Sequence, residues 1–173
     1  PGVLYAEPNY ILKPSAVPND QFYNKQWHYP LINLPQAWDI TTGSGAVIVA
    51  VIDTGVLLAH PDLQGQLVSG YDFISDPANA RDGDGRDPNP DDVGDICCGG
   101  SSSFHGTHVA GTIAAATNNA TGVAGVAWNA RIMPLRVLGI VGGTTDDLNQ
   151  AILYAARLSN GSGTLPAQRA AII

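Results

Sequence analysis

The chain has 173 residues, and its 8 Lys and Arg against 15 Asp and Glu give a formal charge of −7. Charged residues make up 13% of the chain and hydrophobic residues 45%. A chain this acidic is unsuited to holding nucleic acid through phosphate contacts, and a chain this apolar is unsuited to intrinsic disorder. No apolar run approaches the roughly 20 residues of a membrane-spanning helix. We therefore expect a compact globular domain with neither nucleic acid nor a membrane as partner.

Residues 1–20 contain four prolines and show no helical periodicity of apolar residues. Proline-rich sequence without periodicity is typical of extended backbone. We therefore expect an extended arm or linker before the compact part of the chain. Regular patterns of apolar residues begin only at Ala46.

Five segments after the arm have the patterns of strands and helices. Residues 46–52 form a short apolar run, rich in β-branched residues, which is typical of a strand buried on both faces of a parallel sheet. Residues 106–116 and 146–158 predict helices, and residues 131–138 and 170–173 predict further strands. The alternating order of strands and helices predicts an α/β fold, a doubly wound and mostly parallel sheet with right-handed crossovers.

The second predicted helix is amphipathic. Leu148, Ile152 and Ala155 follow one another at helical spacing and predict its apolar stripe. Thr144 and Asp147 have the spacing of a capping box, which predicts that the helix begins just after Thr144.

A long polar stretch, residues 72–103, connects the first predicted strand to the first predicted helix. It is too long for an ordinary connection, which predicts a functional or metal-ordered segment. Within 20 residues it contains seven aspartates: Asp76, Asp82, Asp84, Asp87, Asp91, Asp92 and Asp95. Ca²⁺ prefers carboxylate and carbonyl oxygens, so we predict a Ca²⁺ site in the 76–95 loop. Its candidate ligands are Asp76, Asp82, Asp84 and Asp87, and the alternative is a solvated acidic loop.

Asp53 and His105 are candidate catalytic residues. Asp53 directly follows the first predicted strand, and active sites of open parallel sheets lie beyond the carboxyl ends of strands. A turn or N-cap aspartate is the alternative. His105 lies at the start of a predicted helix, beside Gly106. It could instead cap the helix, or bind zinc with His108, although the glutamate of the zinc-protease pattern is absent.

Two motifs at these positions, VAVIDTG at 49–55 and HGTHVAGT at 105–112, together resemble the subtilase family of serine proteases, closest to its thermitase-like members. The resemblance implies a subtilisin-like fold in which Asp53 is the aspartate and His105 the base of an Asp-His-Ser triad. No matching serine motif occurs in the chain, so the resemblance implies that the nucleophile lies after Ile173, in the C-terminal remainder of the protease.

The resemblance also divides the chain. Residues 19–173 correspond to the N-terminal part of the peptidase catalytic domain, and residues 1–18 to a propeptide tail or an N-terminal arm. The implied function is a secreted, calcium-stabilised serine endopeptidase, and the alternative is a non-catalytic calcium-binding module of protease-like fold. Adjacent cysteines rarely pair with each other, so Cys97 and Cys98 are expected to pair with cysteines outside the chain.

The resemblance implies two further sites. A peptide or protein substrate would add a strand to an edge at Gly142, Gly143 and Thr144, with Leu138 lining a subsite pocket. Residues 117–123 resemble the first calcium loop of the family. Its implied ligands are the side chains of Asp20, Asp62 and Asn119 and the carbonyls of Ala116 or Thr117, Thr121 and Val123.

Overall fold

Three parallel strands form the sheet, in the order β1 (Ile48–Asp53), β3 (Arg131–Arg136) and β2 (Tyr71–Asp72). Ile48 pairs with Arg131 and Asp53 with Arg136, so β1 and β3 end at the same edge of the sheet. This computed structural model describes residues 2, 5–9, 16–95 and 102–173.

Helices cover both faces of this sheet. The helices are α1 His28–Leu31, α2 Leu34–Trp38, α3 Pro77–Ala80, α4 His105–Ala114 and α5 Thr145–Ala155. Successive strand residues point to opposite faces, so Val51 of β1 joins a core with α4 and Ala50 joins a core with α5. The predicted α/β class and mostly parallel sheet are therefore confirmed.

Helix α5 has the predicted N-cap, but its buried face differs from the predicted stripe. Asp147 N–H donates to Thr144 Oγ1 at 3.0 Å, and the residues buried in the helix are Asp147, Ala151, Tyr154 and Ala155. Leu148 and Ile152 are exposed. Ala155 of the predicted stripe is buried, whereas Leu148 and Ile152 are not, because Ala151, Tyr154 and Ala155 form the face of the helix that packs into the core.

The strand predicted at residues 170–173 lies beside β1. Ala50 N–H donates to Ile172 O at 2.9 Å, and Ala171 N–H donates to Ile48 O at 2.8 Å. The bridge between Val49 and Ile172 is parallel. The position of the predicted strand is therefore confirmed, although only one bridge forms.

Two short helices, α1 and α2, were missed because four or five residues are too few to show helical periodicity. These helices supply Tyr29 and Trp38 to an aromatic cluster. The ring of Trp38 contacts the ring of Tyr29 on one side and the ring of Trp128 on the other. In the predicted arm, the described residues 2, 5–9 and 16–18 belong to neither helix nor strand. No helix in the described part of the chain is both long and apolar enough to cross a bilayer.

Candidate active site

The side chains of Asp53 and His105 meet at the edge where β1 ends. Asp53 is the last residue of β1, and His105 is the first residue of α4. His105 Nδ1 lies 2.9 Å from Asp53 Oδ1 and 2.8 Å from Asp53 Oδ2. The Asp53 side chain is only 12% exposed, whereas the His105 side chain is 64% exposed. The carboxylate thus lies behind the imidazole, and the imidazole faces solvent.

Close packing behind this pair depends on Gly106. A Cβ atom at Gly106 would lie 2.2 Å from Gly55 O and 3.0 Å from Asp53 Cβ. Any side chain there would push the start of α4 away from β1. The glycine of the HGTH motif therefore allows His105 to approach Asp53 closely.

A second hydrogen-bonded layer supports Asp53. Thr54 N–H donates to Asp53 Oδ1 at 2.7 Å, and Thr54 Oγ1 donates to Asp92 Oδ2 at 2.7 Å. Gly106 N–H donates in turn to Thr54 Oγ1 at 3.0 Å. Burial raises the pKa of Asp92, while its bonds from Thr54 and Gly94 act in the opposite direction. In the sequence, Asp92 is only one of seven aspartates in the acidic loop, so its supporting position was missed.

The geometry suits proton transfer at the exposed nitrogen of the imidazole. Because Nδ1 faces the Asp53 carboxylate, the neutral ring carries its proton there and keeps Nε2 free to accept another. A buried carboxylate also stabilises the imidazolium that forms after proton uptake. The pair can therefore activate a hydroxyl nucleophile placed beside Nε2.

The predicted substrate residues lie on the segment that follows β3. Leu138, Gly143 and Thr144 line one cavity of about 310 Å³, together with Ile52, the residue before Asp53. Gly142 does not line it: its N–H donates to Gly139 O at 3.1 Å. Three of the four predicted residues therefore share a cavity beside the strand that carries Asp53.

Asp62 and Asp20 approach the loop at 117–123 as predicted. Asp62 Oδ1 accepts from Asn119 Nδ2 at 2.9 Å, and Asp62 Oδ2 accepts from Val123 N–H at 2.8 Å. Asp20 Oδ2 accepts from Asn118 N–H at 2.9 Å, whereas Asp20 Oδ1 is buried and accepts no hydrogen bond. A buried carboxylate oxygen without a donor fits a site for a cation.

The remaining predicted ligands of this loop bond to the backbone of Asp62 and to the side chain of Asn119. Ala116 N–H donates to Asp62 O at 2.7 Å, and Thr121 N–H donates to Asn119 Oδ1 at 2.7 Å. Asp62 therefore contacts Ala116, Asn119 and Val123, and Asp20 contacts the neighbouring Asn118. The carbonyl roles of Ala116, Thr121 and Val123 stay predictions.

The acidic loop brings three of its four predicted ligands together. Carboxylate oxygens of Asp82, Asp84 and Asp87 lie within 4.8 Å of one another, close enough to hold a metal ion. Asp82 Oδ1 is buried without a hydrogen bond, and Asp82 Oδ2 pairs with the buried Arg136 at 2.6 Å. Asp76 lies outside this group, because its Oδ1 caps α3 by accepting from Ala78 N–H at 3.0 Å.

The other acidic side chains of this loop support the fold. Asp91 Oδ1 accepts from Leu58 N–H at 3.0 Å, and Asp95 bonds to Ser103. Cys97 and Cys98 lie outside the described residues, so their predicted pairing stays a prediction.

Asp53 precedes His105 in the chain, and a carboxylate that contacts an imidazole at the carboxyl edge of a parallel sheet is an arrangement found in α/β hydrolytic enzymes. The chain belongs to the subtilase family: residues 44–173 match the family model described as the Subtilase family. The predicted family membership and the subtilisin-like fold are thereby confirmed.

Individual relatives agree with this assignment. The "Extracellular protease" of Xanthomonas campestris pv. campestris is 49% identical over 169 residues, covering 90% of this chain and 29% of that protein. "Thermitase" of Thermoactinomyces vulgaris is 43% identical over 141 residues, covering 80% of this chain and 43% of that protein. A solved structure of a Pseudoalteromonas arctica PAMC 21717 protease superposes with a TM-score of 0.83 at 47% identity, covering 90% of this chain and 49% of that chain. The chain thus spans less than half the length of each of these relatives.

Proposed function

We propose that the protein carrying this chain is a secreted serine endopeptidase that hydrolyses peptide bonds through an Asp-His-Ser triad. Asp53 and His105 are two members of the triad, and the serine belongs to sequence after Ile173. The observation that carries this proposal is the contact between a buried carboxylate and Nδ1 of an exposed imidazole, at 2.8 Å. Secretion is supported by relatives named as extracellular proteases.

In the proposed reaction, His105 Nε2 removes the hydroxyl proton as the serine oxygen attacks the scissile carbonyl carbon. The Asp53 carboxylate holds the ring in the required tautomer and stabilises its positive charge. His105 then donates the same proton to the amine that leaves, which yields an acyl-enzyme. A water molecule then attacks the acyl-enzyme with His105 as base, which releases the acid product and restores the serine.

The substrate of this reaction is a peptide or protein held as an extended strand. Gly143 and Thr144 offer an exposed segment beside the cavity that Leu138 lines. Backbone pairing along such an edge gives affinity without sequence preference, and the cavity adds a side-chain subsite.

We further propose that calcium stabilises the fold at the 117–123 loop. Asp20 and Asp62 would supply carboxylate oxygens there, and Asn119 would supply its amide oxygen after rotation of the amide group. The buried, unpartnered Asp20 Oδ1 supports this assignment. Asp82, Asp84 and Asp87 would form a second and weaker site, because Arg136 already neutralises part of the charge of Asp82.

We propose that residues 1–18 are the end of a propeptide, so that the enzyme is made as a zymogen. The support is the resemblance of residues 3–10 to the tail of a subtilase propeptide, and the described residues 5–9 have no regular secondary structure. In the oxidising environment outside the cell, Cys97 and Cys98 would form disulfides with cysteines of the C-terminal remainder.

Peptide hydrolysis by the full-length protein that carries this chain tests the proposed function. His105→Ala is expected to lower kcat by about 10⁴-fold or more, because the serine loses its base. His108→Ala is the matched control, since His108 is an exposed histidine three residues along the same helix. Full activity in His105→Ala would remove His105 from the proposed mechanism, whereas no hydrolysis by the unmodified protein would support the non-catalytic calcium-binding module instead.

A further inference from the structure

The segment that follows β3 has little internal support at its tip. Gly139 N–H donates to Gly142 O at 3.0 Å, and Gly142 N–H donates to Gly139 O at 3.1 Å. Between these two glycines, Ile140 is partly exposed and Val141 is 83% exposed. Two hydrogen bonds within a four-residue turn constrain its position only weakly. The position of Gly143 and Thr144, which follow the turn, therefore depends on the residues that the turn packs against.

The turn rests on Asn79, a residue of α3 that is only 7% exposed. Asn79 Oδ1 accepts from Val141 N–H at 2.9 Å, and Asn79 Nδ2 donates to Gly142 O at 2.9 Å. The backbone carbonyl of Asn79 also accepts from Ile140 N–H at 3.2 Å. Both ends of the amide group therefore bond to the backbone of the turn, and three consecutive residues are held from one position.

The contact leaves no space between α3 and the turn. A Cβ atom at Gly139 would lie 2.2 Å from Asn79 O. The helix α3 is itself fixed, because the side chain of Asp76 caps it and Ala80 O accepts from the buried Arg136 of β3. Asn79 is thus attached, through Arg136, to the same strand that leads into the turn.

The hydrogen bonds of Gly142 decide where a substrate strand would pair. Its N–H is used inside the turn, and its carbonyl is held by Gly139 and Asn79. The backbone of a substrate strand would therefore pair with Gly143, the next residue. The position of Gly143 follows from the position of Gly142.

We propose that Asn79 is a positioning residue for extended substrates. By fixing Gly142, it sets the position of Gly143 and so determines the affinity for peptides long enough to reach that edge. It has no part in the proton transfer at His105. This inference rests on the proposed function and adds a residue of the acidic loop to the substrate site.

The test compares two substrates of the full-length protease that share a leaving group, a tetrapeptide thiobenzyl ester and an N-acetylated single-residue thiobenzyl ester. Asn79→Ala is expected to raise KM for the tetrapeptide roughly tenfold, because it removes two partly buried hydrogen bonds that position the edge. The single-residue ester does not reach Gly143. Its turnover by Asn79→Ala is therefore expected to stay within about twofold of its turnover by the unmodified protein.

Asn79→Asp keeps the shape of the side chain and the acceptor for Val141 N–H, but it places an oxygen against Gly142 O. It is expected to reproduce the rise in KM for the tetrapeptide even if Asn79→Ala folds poorly. Asn149→Ala is the matched control, because Asn149 is an exposed asparagine of α5. Thermal unfolding of each variant reports whether the fold is retained.

Equal losses on the two substrates, or no loss on either, would overturn the role of Asn79. An unmodified protein that cleaves neither ester would instead contradict the proposed function, so the two failures are distinguishable.

Discussion

The proposed catalytic corner, formed by Asp53 and His105, and the acidic loop around Asp82 both place carboxylates against a nitrogen-bearing side chain, but the partners differ. Asp53 faces an imidazole that is largely exposed. Asp72 and Asp82 face the guanidinium of Arg136, which is buried. Histidine gains and loses a proton near neutral pH, whereas arginine stays protonated in proteins.

Under the proposed function, this difference separates a reactive pair from a structural one. At the catalytic corner the imidazole can change its charge during a reaction, and solvent or substrate can reach it. In the acidic loop the guanidinium is fixed in charge and shielded, so it holds α3 and the loop against β3. The partner and its exposure, rather than the carboxylate, determine the role.

The largest effect is expected from changing the carboxylate of the catalytic corner. Asp53→Asn in the full-length protein should lower kcat for a peptide substrate by roughly 10⁴-fold, because the imidazole loses the group that fixes its tautomer. Asp39→Asn is the control, since Asp39 is an exposed aspartate that accepts one hydrogen bond from Ala16 N–H. A loss below about tenfold in Asp53→Asn would remove the pair from the mechanism.

Changing the ion pairs of Arg136 with Asp72 and Asp82 should lower the stability of the fold instead. Arg136→Met leaves Asp72 and Asp82 buried without their cation, and removal of one partner from a buried pair costs about 3–5 kcal/mol. Urea unfolding of the inhibitor-blocked enzyme measures the loss. Arg169→Met, a change at an exposed arginine, should alter the free energy of unfolding little. Equal stability of the two variants would show that Arg136 does not hold the loop.

Calcium removal should distinguish the loop at 117–123 from both of these pairs, because only the loop is proposed to depend on the ion for stability. Saturation at 100 times Kd contributes about 2.7 kcal/mol to folding, so a chelator should lower the Tm of the enzyme clearly. Asp62→Asn should reduce this response to the chelator, because Asp62 is a proposed ligand, whereas Asp39→Asn should keep it. An unchanged Tm in chelator would refute the calcium proposal.

The smallest effect is expected at Asp92, behind the catalytic corner. Burial raises the pKa of Asp92 in the folded state above its ordinary value of 3.8. The folded protein therefore holds this proton more tightly than the unfolded chain, and stability falls as pH rises from the lower to the higher pKa. In Asp92→Asn, Tm should fall less steeply with rising pH above about 4 than in the unmodified enzyme. Parallel pH profiles would contradict the assignment.

The fold and the two residues of the candidate active site were predictable because their signals are local. A run of β-branched residues predicts β1, and Asp53 follows that run directly. His105 likewise stands beside a glycine at the start of a helical segment. Elements that show such a pattern over six or more residues were found, whereas α1 and α2 are too short to show one.

The supporting contacts were not predictable because they join positions far apart in the chain. The bond from Thr54 to Asp92 spans 38 residues, and the bond from Asn79 to Gly142 spans 63. Composition and periodicity say nothing about which aspartate meets which partner. The predicted stripe of α5 is only partly buried for a related reason: Leu148 and Tyr154 are both apolar, and only packing decides which of them is buried.

Labelling with a fluorophosphonate tests the central claim, that Asp53 and His105 activate a serine from the C-terminal remainder. The probe reacts covalently with a serine that has an active base, and mass spectrometry locates the modified residue. In the full-length protein we expect one modified serine located after Ile173, with labelling lost in His105→Ala and retained in His108→Ala. Labelling that persists in His105→Ala, or a full-length protein without a labelled serine, would contradict the account.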